Sequence, residues 1–449
     1  MKCLQNCMGI FFRTIEIFFK TIRHPVKIYR MILSLRNICA ADGDDSALFL
    51  KELFESLGPI FVKFGQILST RPDLLPCVFI ENLKKLQDNA AVNGNADVQK
   101  ILKSYFGEKY GDIFAEINTM PAHSASICLI YEGKLRSGES IVIKLKRPGI
   151  EKIIANDFRI FELITFFFQK KFSKFGFVFP ESINRIKKQI FNELNLRKEI
   201  ENAILFNKIF FKDANIKIPF VYEELCSNDF IIMEKISGLK IDSAEFKNCA
   251  GKNQFLNYGM RAFLKQIFIN GIFHADPHPG NILFTEDNKI AFIDFGIVGR
   301  LSKNQQNSLF IISMAILNKN IKLLFTVLIN ERILKGDTDM NVFIEETELC
   351  LNKFIDAPLK KIHAQDLLFE TLKLVKKFQM RIPPEFFELL RCLVILDGIG
   401  KQLSPDFSII NELKPALFEM MLIKYSLKEI LNKIANAGLL FLYRIMKGL

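Results

Sequence analysis

The pattern of apolar and polar positions changes character several times along the chain. Residues 45–90 carry apolar side chains at helical spacing, and the Gly58-Pro59 dipeptide divides them into two helices, because proline is tolerated in a first helical turn. Residues from about 110 to 235 show strand character, with a long helical stretch at about 151–206. From about 254 to 420 the spacing is again mainly helical. This order predicts an α+β protein.

Three apolar runs within the strand region predict strands, at residues 127–131, 140–144 and 229–233. Glycine and small polar residues predict turns at Glu132-Gly133 and at Ser137–Glu139. The first two runs are therefore expected to lie side by side.

Two further apolar runs flank a polar turn later in the chain. The runs at residues 281–284 and 289–293 are apolar after their first residues, Asn281 and Lys289, and residues 286–288 favour a turn. This is the pattern of a β-hairpin, and its two ends would bring Asn281 and Asp294 together.

The residues around this hairpin suggest chemistry on a nucleoside triphosphate. The chain reads His274-Ala-Asp276-Pro-His-Pro-Gly-Asn281 and then Asp294-Phe-Gly296. One carboxylate can orient or deprotonate an attacking hydroxyl, while an amide oxygen and a second carboxylate hold Mg²⁺, which prefers oxygen ligands. An Asp-Phe-Gly sequence alone is more often a simple turn. The combination with an Asp-x-x-x-x-Asn loop is typical of the protein-kinase-like fold.

A phosphate-handling site also needs a cation. Lys144 ends an apolar strand that precedes the loop, where its ammonium group could reach phosphate oxygens. A carboxylate from the following helical stretch should hold it, with Glu199 as the first choice and Glu193 as the second. Taken alone, Lys144 would be an ordinary surface lysine at a strand end.

Two features of common protein kinases are missing from the sequence. No Gly-x-Gly-x-x-Gly loop precedes Lys144, and residues 121–126 offer small side chains instead. No Ala-Pro-Glu segment follows Gly296, and the chain runs almost directly into a helical stretch at residues 304–317. Phosphorylation of proteins is therefore not the default interpretation.

Composition and charge narrow the possible partners and compartments. The 449 residues are 49% hydrophobic, which excludes a disordered chain, and nine cysteines without a Cys-x-x-Cys pair indicate a reducing compartment and no zinc site. The net charge of +12 raises nucleic acid as a partner, but no basic stripe with interleaved aromatics accompanies it. A negatively charged membrane surface fits better, since residues 1–40 form a basic amphipathic pattern interrupted by Pro25. A helix packed on the rest of the protein is an equal alternative for this segment.

No apolar run approaches the roughly 20 residues that a membrane-spanning helix needs. The apolar residues 435–443 are short, and we expect them to be packed or interfacial. The charge and these segments together predict a cytoplasmic protein that is peripheral on the inner, cytoplasmic membrane surface.

The motifs together resemble a known family, the UbiB-type atypical kinases, also called the ADCK or ubiquinone-biosynthesis kinase-like family, over roughly residues 48–403. The most specific match is Leu57 to Pro76, which contains Lys63, Gly65 and Gln66 of the family's Lys-x-Gly-Gln motif. The remaining matches are Leu86 to Asp88, the alanine-rich loop at Pro121 to Ser126, Lys144 to Gly149, the Glu-x-Asp helix at Glu193 to Asn202, His274 to Asn281, and Asp294 to Gly296.

This resemblance implies a two-lobed kinase-like fold that binds ATP or ADP with Mg²⁺. It also implies ATPase or unorthodox kinase activity and a membrane-associated role in isoprenoid-quinone biosynthesis, with lipid or quinone precursors and other enzymes of that synthesis as partners. Lys63 would lie in the cleft and restrict access. The expected parts are a basic amphipathic segment (1–44), a helical Lys-x-Gly-Gln extension (45–110), an N-lobe with a helical insertion (111–236), a helical C-lobe (237–420) and an apolar tail (421–449).

The expected site residues follow from these matches. Asp276, Lys144 and Lys63 are the expected catalytic residues, and Asn281 and Asp294 the metal ligands. The expected nucleotide contacts are Lys144, Ala125, Ser126, Glu199, Glu193, Met233 and Glu234.

Three departures from the family pattern affect details. His123 and Ser124 replace alanines of the alanine-rich loop, which bears on nucleotide preference, and Leu129 replaces a usual glutamine. Asn195 stands where the family has aspartate, so an ion pair between Lys63 and that helix would have to use Glu193.

Three function classes stay open at this point. The first is an ATP-hydrolysing or phosphoryl-transferring enzyme. The second is a nucleotide-sensing scaffold that organises lipid-modifying enzymes at a membrane. The intact Asp276 favours the enzyme, whereas the obstructed cleft and the missing peptide platform favour the scaffold. The third is a small-molecule kinase of the aminoglycoside or choline type, and the segment Lys63 to Gln66 argues against it.

Overall fold

The structure is a computed structural model that describes most of the chain between residues 43 and 424. The described ranges are 43–69, 77–86, 96–125, 127–159, 194–249, 251–355, 364–404 and 409–424, with isolated positions at 162, 187, 190–192 and 407. Residues 1–42 and 425–449, which include nearly all of the basic N-terminal segment and of the apolar tail, lie outside them.

The chain divides into two compact units. The first comprises Met1–Glu201 and Phe220–Lys235, and the second Asn202–Pro219 and Ile236–Leu449. The five-part division expected from the sequence stays a prediction.

In its described residues, the first unit begins with five α-helices, and the first three of them contribute to an apolar core. Gly58 separates the first two helices with a φ of 107°, a left-handed value that glycine adopts without a steric penalty, as the Gly58-Pro59 prediction required. Phe54, Phe61, Phe64 and Leu83 are among the buried side chains of this core. The helices are α1 (Gly43–Leu57), α2 (Pro59–Ser69), α3 (Cys77–Lys84), α4 (Val98–Phe106) and α5 (Tyr110–Ile113).

An antiparallel sheet follows these helices in the first unit. Its order is β1-β3-β4-β6, and β2 also pairs with β3. The strands are β1 (Phe114–Ile117), β2 (His123–Ser124), β3 (Cys128–Leu135), β4 (Ser140–Lys146) and β6 (Phe230–Glu234). All three predicted strands are therefore present.

The predicted turn at Glu132-Gly133 is wrong, because both residues lie inside β3. Gly133 pairs with Ile141 on one side and with Ile117 on the other. A Cβ atom at Gly133 would lie 2.6 Å from Ile117 Cδ1 and 2.7 Å from the Glu116 carbonyl oxygen. The glycine permits close approach of β1 and does not turn the chain. The second predicted turn is present, with Gly138 at a φ of 104°.

The long helical stretch is described in part. Residues 151–159 are helical, and α6 spans Leu196–Phe210, passing from the first unit to the second after Glu201.

The second unit contains two small sheets and a set of helices. One sheet has the order β5-β10-β9-β7, and the other pairs β8 with β11. These strands are β5 (Ile216–Lys217), β7 (Leu239–Lys240), β8 (Ile272–His274), β9 (Ile282–Phe284), β10 (Ile290–Phe292) and β11 (Val298–Arg300).

The helices of the second unit surround an extensive apolar core that includes Phe273, Leu301, Phe343 and Leu417. They are α7 (Ala244–Lys247), α8 (Lys252–Leu264), a π-helical turn (Lys265–Asn270), α9 (Lys303–Leu317), α10 (Ile321–Asn330), α11 (Met340–Ile355), α12 (Ala364–Lys377), α13 (Pro384–Leu403) and α14 (Ile409–Lys424). Within the described part of the chain, no helix combines the length and the apolar character needed to cross a membrane. The α+β class predicted from the sequence is confirmed.

Candidate functional site

Hydrogen bonds with its own side chains and with the preceding π-helical turn hold the backbone of the loop that carries Asp276. His274 ends β8, and its backbone N–H donates to Gln266 Oε1 in the π-helical turn at 2.8 Å. The Asp276 N–H donates to His274 Nδ1 at 3.1 Å, and Asn281 Nδ2 donates to the Asp276 carbonyl at 3.1 Å. Because Asn281 uses its amide nitrogen here, its Oδ1 is the atom suited to a metal ion.

The predicted hairpin joins this loop to Asp294. Strands β9 and β10 are antiparallel, with Phe292 opposite Ile282, and the Ile293 N–H donates to the Asn281 carbonyl at 3.1 Å. Asp294 follows directly, and its Oδ1 accepts from the Gly296 N–H at 2.9 Å. The hairpin thus brings the chain segments of Asn281 and Asp294 together, as predicted.

His274 is a buried neutral group. Its side chain is 1% exposed and packs against Phe206, Phe292 and Phe295. Burial lowers the pKa of the imidazole, despite the opposing effect of Asp276 and Asp294. Since Nδ1 accepts a hydrogen bond, the proton lies on Nε2, which makes no well-formed hydrogen bond among the described residues. His274 therefore supports the loop backbone and is not placed to exchange protons.

The oxygen donors fit magnesium bound together with a nucleotide. Among the described residues, no group of three or more His, Cys, Asp or Glu side chains is arranged to hold a metal ion alone. Magnesium is usually held by one or two protein oxygens together with substrate phosphates and water, and not by a complete protein cage. The half-buried pair of Asn281 and Asp294 is suited to that mode.

In the first unit, Lys144 lies within β4 opposite Ile130 and Ile231. The prediction that it ends the strand is wrong, because pairing with β3 continues to Lys146. Its Nζ is 2.6 Å from Glu199 Oε1, and the two side chains are 13% and 4% exposed. Glu199 lies in the first turn of α6, where a negative charge also interacts favourably with the helix dipole. The preferred carboxylate is therefore the one that meets Lys144, while the second choice, Glu193, lies outside the described residues.

The short loop before β3 is held by Arg147. Its Nη2 donates to Ser124 Oγ at 2.6 Å, and its Nε donates to the Ala125 carbonyl at 3.0 Å. Burial lowers the pKa of the Arg147 guanidinium from its ordinary value. Ser124, a departure from the family pattern, thus accepts a hydrogen bond from Arg147. Ser126 lies outside the described residues.

The Lys-x-Gly-Gln residues lie on α2. Lys63 and Gln66 are half-buried, and Gln66 Nε2 donates to the Leu86 carbonyl at 3.1 Å. A Cβ atom at Gly65 would lie 2.3 Å from Leu86 Cδ1 and 2.7 Å from Phe54 Cδ2. Close helix packing therefore requires glycine at this position.

The two remaining residues expected to contact the nucleotide, Met233 and Glu234, are the last residues of β6. Met233 pairs with Val142 and is 6% exposed, and Glu234 Oε2 accepts from the Phe220 N–H at 3.1 Å. The first unit ends directly afterwards, at Lys235.

Sequence reasoning did not identify the side chains that support the Asp-Phe-Gly segment and the Asp276 loop. Asn202 Nδ2 donates to the Phe295 carbonyl at 3.0 Å, and Arg300 Nη2 donates to Asn202 Oδ1 at 3.2 Å. Arg391 of α13 donates to the Ala275 carbonyl. The helical spacing from Glu199 to Asn202 could have indicated the first contact, but no local signal marks Arg391.

Comparisons with known protein families agree with this arrangement of motifs. Residues 85–328 match the ABC1 atypical kinase-like domain, and residues 349–408 match the UbiB helical domain. A relative from Marinobacter nauticus, named "Probable protein kinase UbiB", is 32% identical to this chain over 379 aligned residues. A Clostridium pasteurianum protein, described as lying in the 5' region of hydrogenase 1, is 32% identical over 376 aligned residues. The alignments cover 83% and 82% of this chain, respectively, and 69% of each relative. A Synechocystis relative is 27% identical to this chain, and the alignment covers 58% of that relative's length.

A solved structure is similar in fold. The Mycobacterium tuberculosis protein Rv3197, determined in complex with erythromycin, matches with a TM-score of 0.54 at 21% identity, covering 78% of this chain and 90% of that one. The kinase-like fold predicted from the motifs is thereby confirmed. The chain belongs to the UbiB family of ABC1 atypical kinase-like proteins.

Proposed function

We propose that this protein is an ATP-dependent atypical kinase or ATPase that works at a membrane surface and supports isoprenoid-quinone biosynthesis. The hairpin that joins the segments of Asn281 and Asp294, beside the loop of Asp276, is the observation that carries this proposal. The Lys144–Glu199 ion pair supports it independently.

Each residue has a separate task in the proposed reaction. Asp276 orients the attacking hydroxyl or water and accepts its proton. Asn281 and Asp294 hold the metal, and Lys144, kept in place by Glu199, binds phosphate oxygens. When bound, Mg²⁺ supplies charge neutralisation to the phosphates. We assign Ala125, Ser126, Met233 and Glu234 to nucleotide contact, and Lys63, Gly65 and Gln66 to control of access.

The proposed acceptor is a small molecule, a lipid-linked compound or water, and not a protein. Only Leu301 and Ser302 separate β11 from α9 after the Asp-Phe-Gly segment. This short connection leaves no long loop there on which a peptide could lie. The basic N-terminal sequence and the net charge of +12 support a peripheral position on the cytoplasmic membrane surface.

The Asp276→Asn variant separates an enzyme from a nucleotide-sensing scaffold. We expect it to bind MgATP within about threefold of the wild type and to release phosphate at least about 100-fold more slowly. Glu286→Gln is the matched control, because Glu286 is an exposed carboxylate in the same hairpin, and it should behave as the wild type. If cells that carry Asp276→Asn keep normal quinone levels, the scaffold is the better interpretation.

Phosphate release should also depend on lipid. We expect anionic liposomes and phenols that resemble quinone precursors to stimulate it, in assays of the full chain. Phosphorylation of an added sugar or amine would instead support a small-molecule kinase of the aminoglycoside or choline type.

A further inference from the structure

Helix α13 contacts the backbone of the Asp276 loop from a distant part of the sequence. The guanidinium Nη2 of Arg391 donates to the carbonyl of Ala275, the residue before Asp276. The neighbouring Cys392 places Sγ 3.4 Å from the same oxygen and 3.7 Å from the His274 carbonyl. Both residues lie in the region that matches the UbiB helical domain.

The peptide group between Ala275 and Asp276 is therefore held at both of its polar atoms. Its carbonyl accepts from Arg391, and its N–H donates to His274 Nδ1 at 3.1 Å. A peptide group is planar, so two opposed hydrogen bonds fix the orientation of the whole plane. That orientation sets the direction in which the chain enters Asp276.

The hydrogen bond from Arg391 is the stronger of the two contacts to the Ala275 carbonyl. A guanidinium donates a charge-assisted hydrogen bond, whereas a thiol is a weak donor. Cys392 is fully buried, and burial raises the pKa of its thiol to about 12, so it stays neutral. The two neighbours thus touch one oxygen with different strengths, and Cys392 provides a matched control.

Arg391 is half-buried, and burying part of its guanidinium carries a cost. Its Nε is buried and makes no hydrogen bond among the described residues. An apolar side chain would avoid an unsatisfied buried N–H at this position. Two contacts offset this cost. The Arg391 charge lies near Glu388 on the same helix, where it opposes the rise in the pKa of that carboxyl caused by burial, and Nη2 donates to the Ala275 carbonyl of the loop.

We propose that Arg391 is a positioning residue for Asp276, which holds the Ala275–Asp276 peptide in the orientation that the reaction needs. This inference rests on the proposed function, since it concerns the turnover carried by Asp276. It makes one arginine of the UbiB helical region part of the machinery that prepares the catalytic loop.

The test compares Arg391→Ala, Arg391→Lys and Cys392→Ala in the full chain with MgATP. We expect Arg391→Ala to lower kcat by about 30-fold while KM stays within about threefold, because misplacement of a reacting group mainly affects the chemical step. Arg391→Lys should recover part of kcat, and added guanidinium ion should partly rescue Arg391→Ala but not Asp276→Asn. Cys392→Ala should retain nearly all activity.

Two results would overturn the inference. One is a kcat for Arg391→Ala equal to that of Cys392→Ala. The other is a joint loss of kcat, MgATP affinity and melting temperature without rescue by guanidinium, which is the result of a merely structural role.

Amide hydrogen exchange separates this inference from the proposed function. Exchange in residues 272–281 should accelerate in Arg391→Ala and not in Cys392→Ala. If the wild type binds MgATP without releasing phosphate, the proposed turnover has failed, and the exchange result alone decides whether Arg391 holds the loop. Unchanged exchange would contradict it.

Discussion

The two units hold their functional side chains in different ways. Lys144 lies inside a regular strand, where the register with β3 and β6 fixes its backbone, and the Glu199 carboxylate meets its charge. Asp276 lies in a loop without a strand partner of its own, and side chains from separate segments, among them Gln266 and Arg391, hold the backbone around it. Regular strand pairing therefore places the lysine, whereas the loop aspartate depends on many small side-chain contacts.

This difference predicts unequal responses to substitution. Loss of the Glu199 carboxylate beside Lys144 should have a large effect on phosphate release and on the free energy of unfolding. Loss of any one support of the Asp276 loop or of the Asp-Phe-Gly segment should have a smaller effect, because the other contacts persist.

Among the side chains that hold the site residues in place, the largest effect is expected from Glu199→Gln. The substitution keeps the size of the side chain and removes the charge that faces Lys144, so phosphate release should fall by about 100-fold. The free energy of unfolding should fall by about 3 kcal/mol, since one charge of a largely buried pair loses its counterpart. Activity assays and urea denaturation check both values. Glu201→Gln, at an exposed position of the same helix, should change neither.

A smaller loss is expected at Asn202. Asn202→Ala removes the donor to the Phe295 carbonyl, and we expect about tenfold slower turnover from the loss of one buried hydrogen bond. Asn202→Asp keeps an oxygen for Arg300 but cannot donate to Phe295. Similar turnover rates for the two variants would identify the Phe295 contact as the important one. Normal turnover in Asn202→Asp would contradict this assignment.

His274 should give the protein a pH-dependent stability. Its pKa is lowered in the folded state, so the unfolded chain binds the proton more readily. The contribution of neutral His274 to the free energy of unfolding is complete above the ordinary pKa of 6.5. It is lost as the pH falls below that value, by at most about 1.4 kcal/mol per pH unit. His274→Asn keeps an acceptor for the Asp276 N–H and should flatten the dependence, measured by urea denaturation at several pH values. The opposite result would disagree with this account: a slope of unfolding free energy against pH that is unchanged in His274→Asn but reduced in His278→Asn, a substitution at an exposed histidine.

The smallest effect is expected from Ser124→Ala in the loop before β3. The substitution removes the acceptor for Arg147 Nη2, while the contact of Nε with the Ala125 carbonyl persists. MgATP affinity measured by calorimetry should weaken by about threefold, consistent with a partly exposed hydrogen bond. A tenfold or larger change would mean that Ser124 controls nucleotide binding more directly.

Local sequence patterns predicted the elements better than the contacts between distant segments. Strand and hairpin periodicity predicted β4, β9 and β10, and chain order predicted that Glu199 meets Lys144. The turn predicted at Gly133 failed, because glycine serves both turns and closely packed strands, and only the position of β1 distinguishes them.

The supports of the Asp276 loop could not be predicted in this way. Arg391 lies 116 residues from Ala275 along the chain, and a single arginine on a helix carries no periodic signal. Asn202 could be placed on the same face as Glu199, but its partner at Phe295 depends on tertiary structure. Local spacing identifies candidate ligands, and the side chains that position them come from the fold.

Calorimetry with ATP, in the presence and absence of Mg²⁺, tests the central claim most directly. We predict that the wild type binds MgATP. Lys144→Met should weaken ATP binding with and without the metal, whereas Asp294→Asn should abolish only the increase in ATP affinity that Mg²⁺ produces. Binding that is identical in all three proteins, or no heat for the wild type at millimolar MgATP or MgADP, would contradict the assignment of these residues to one magnesium nucleotide.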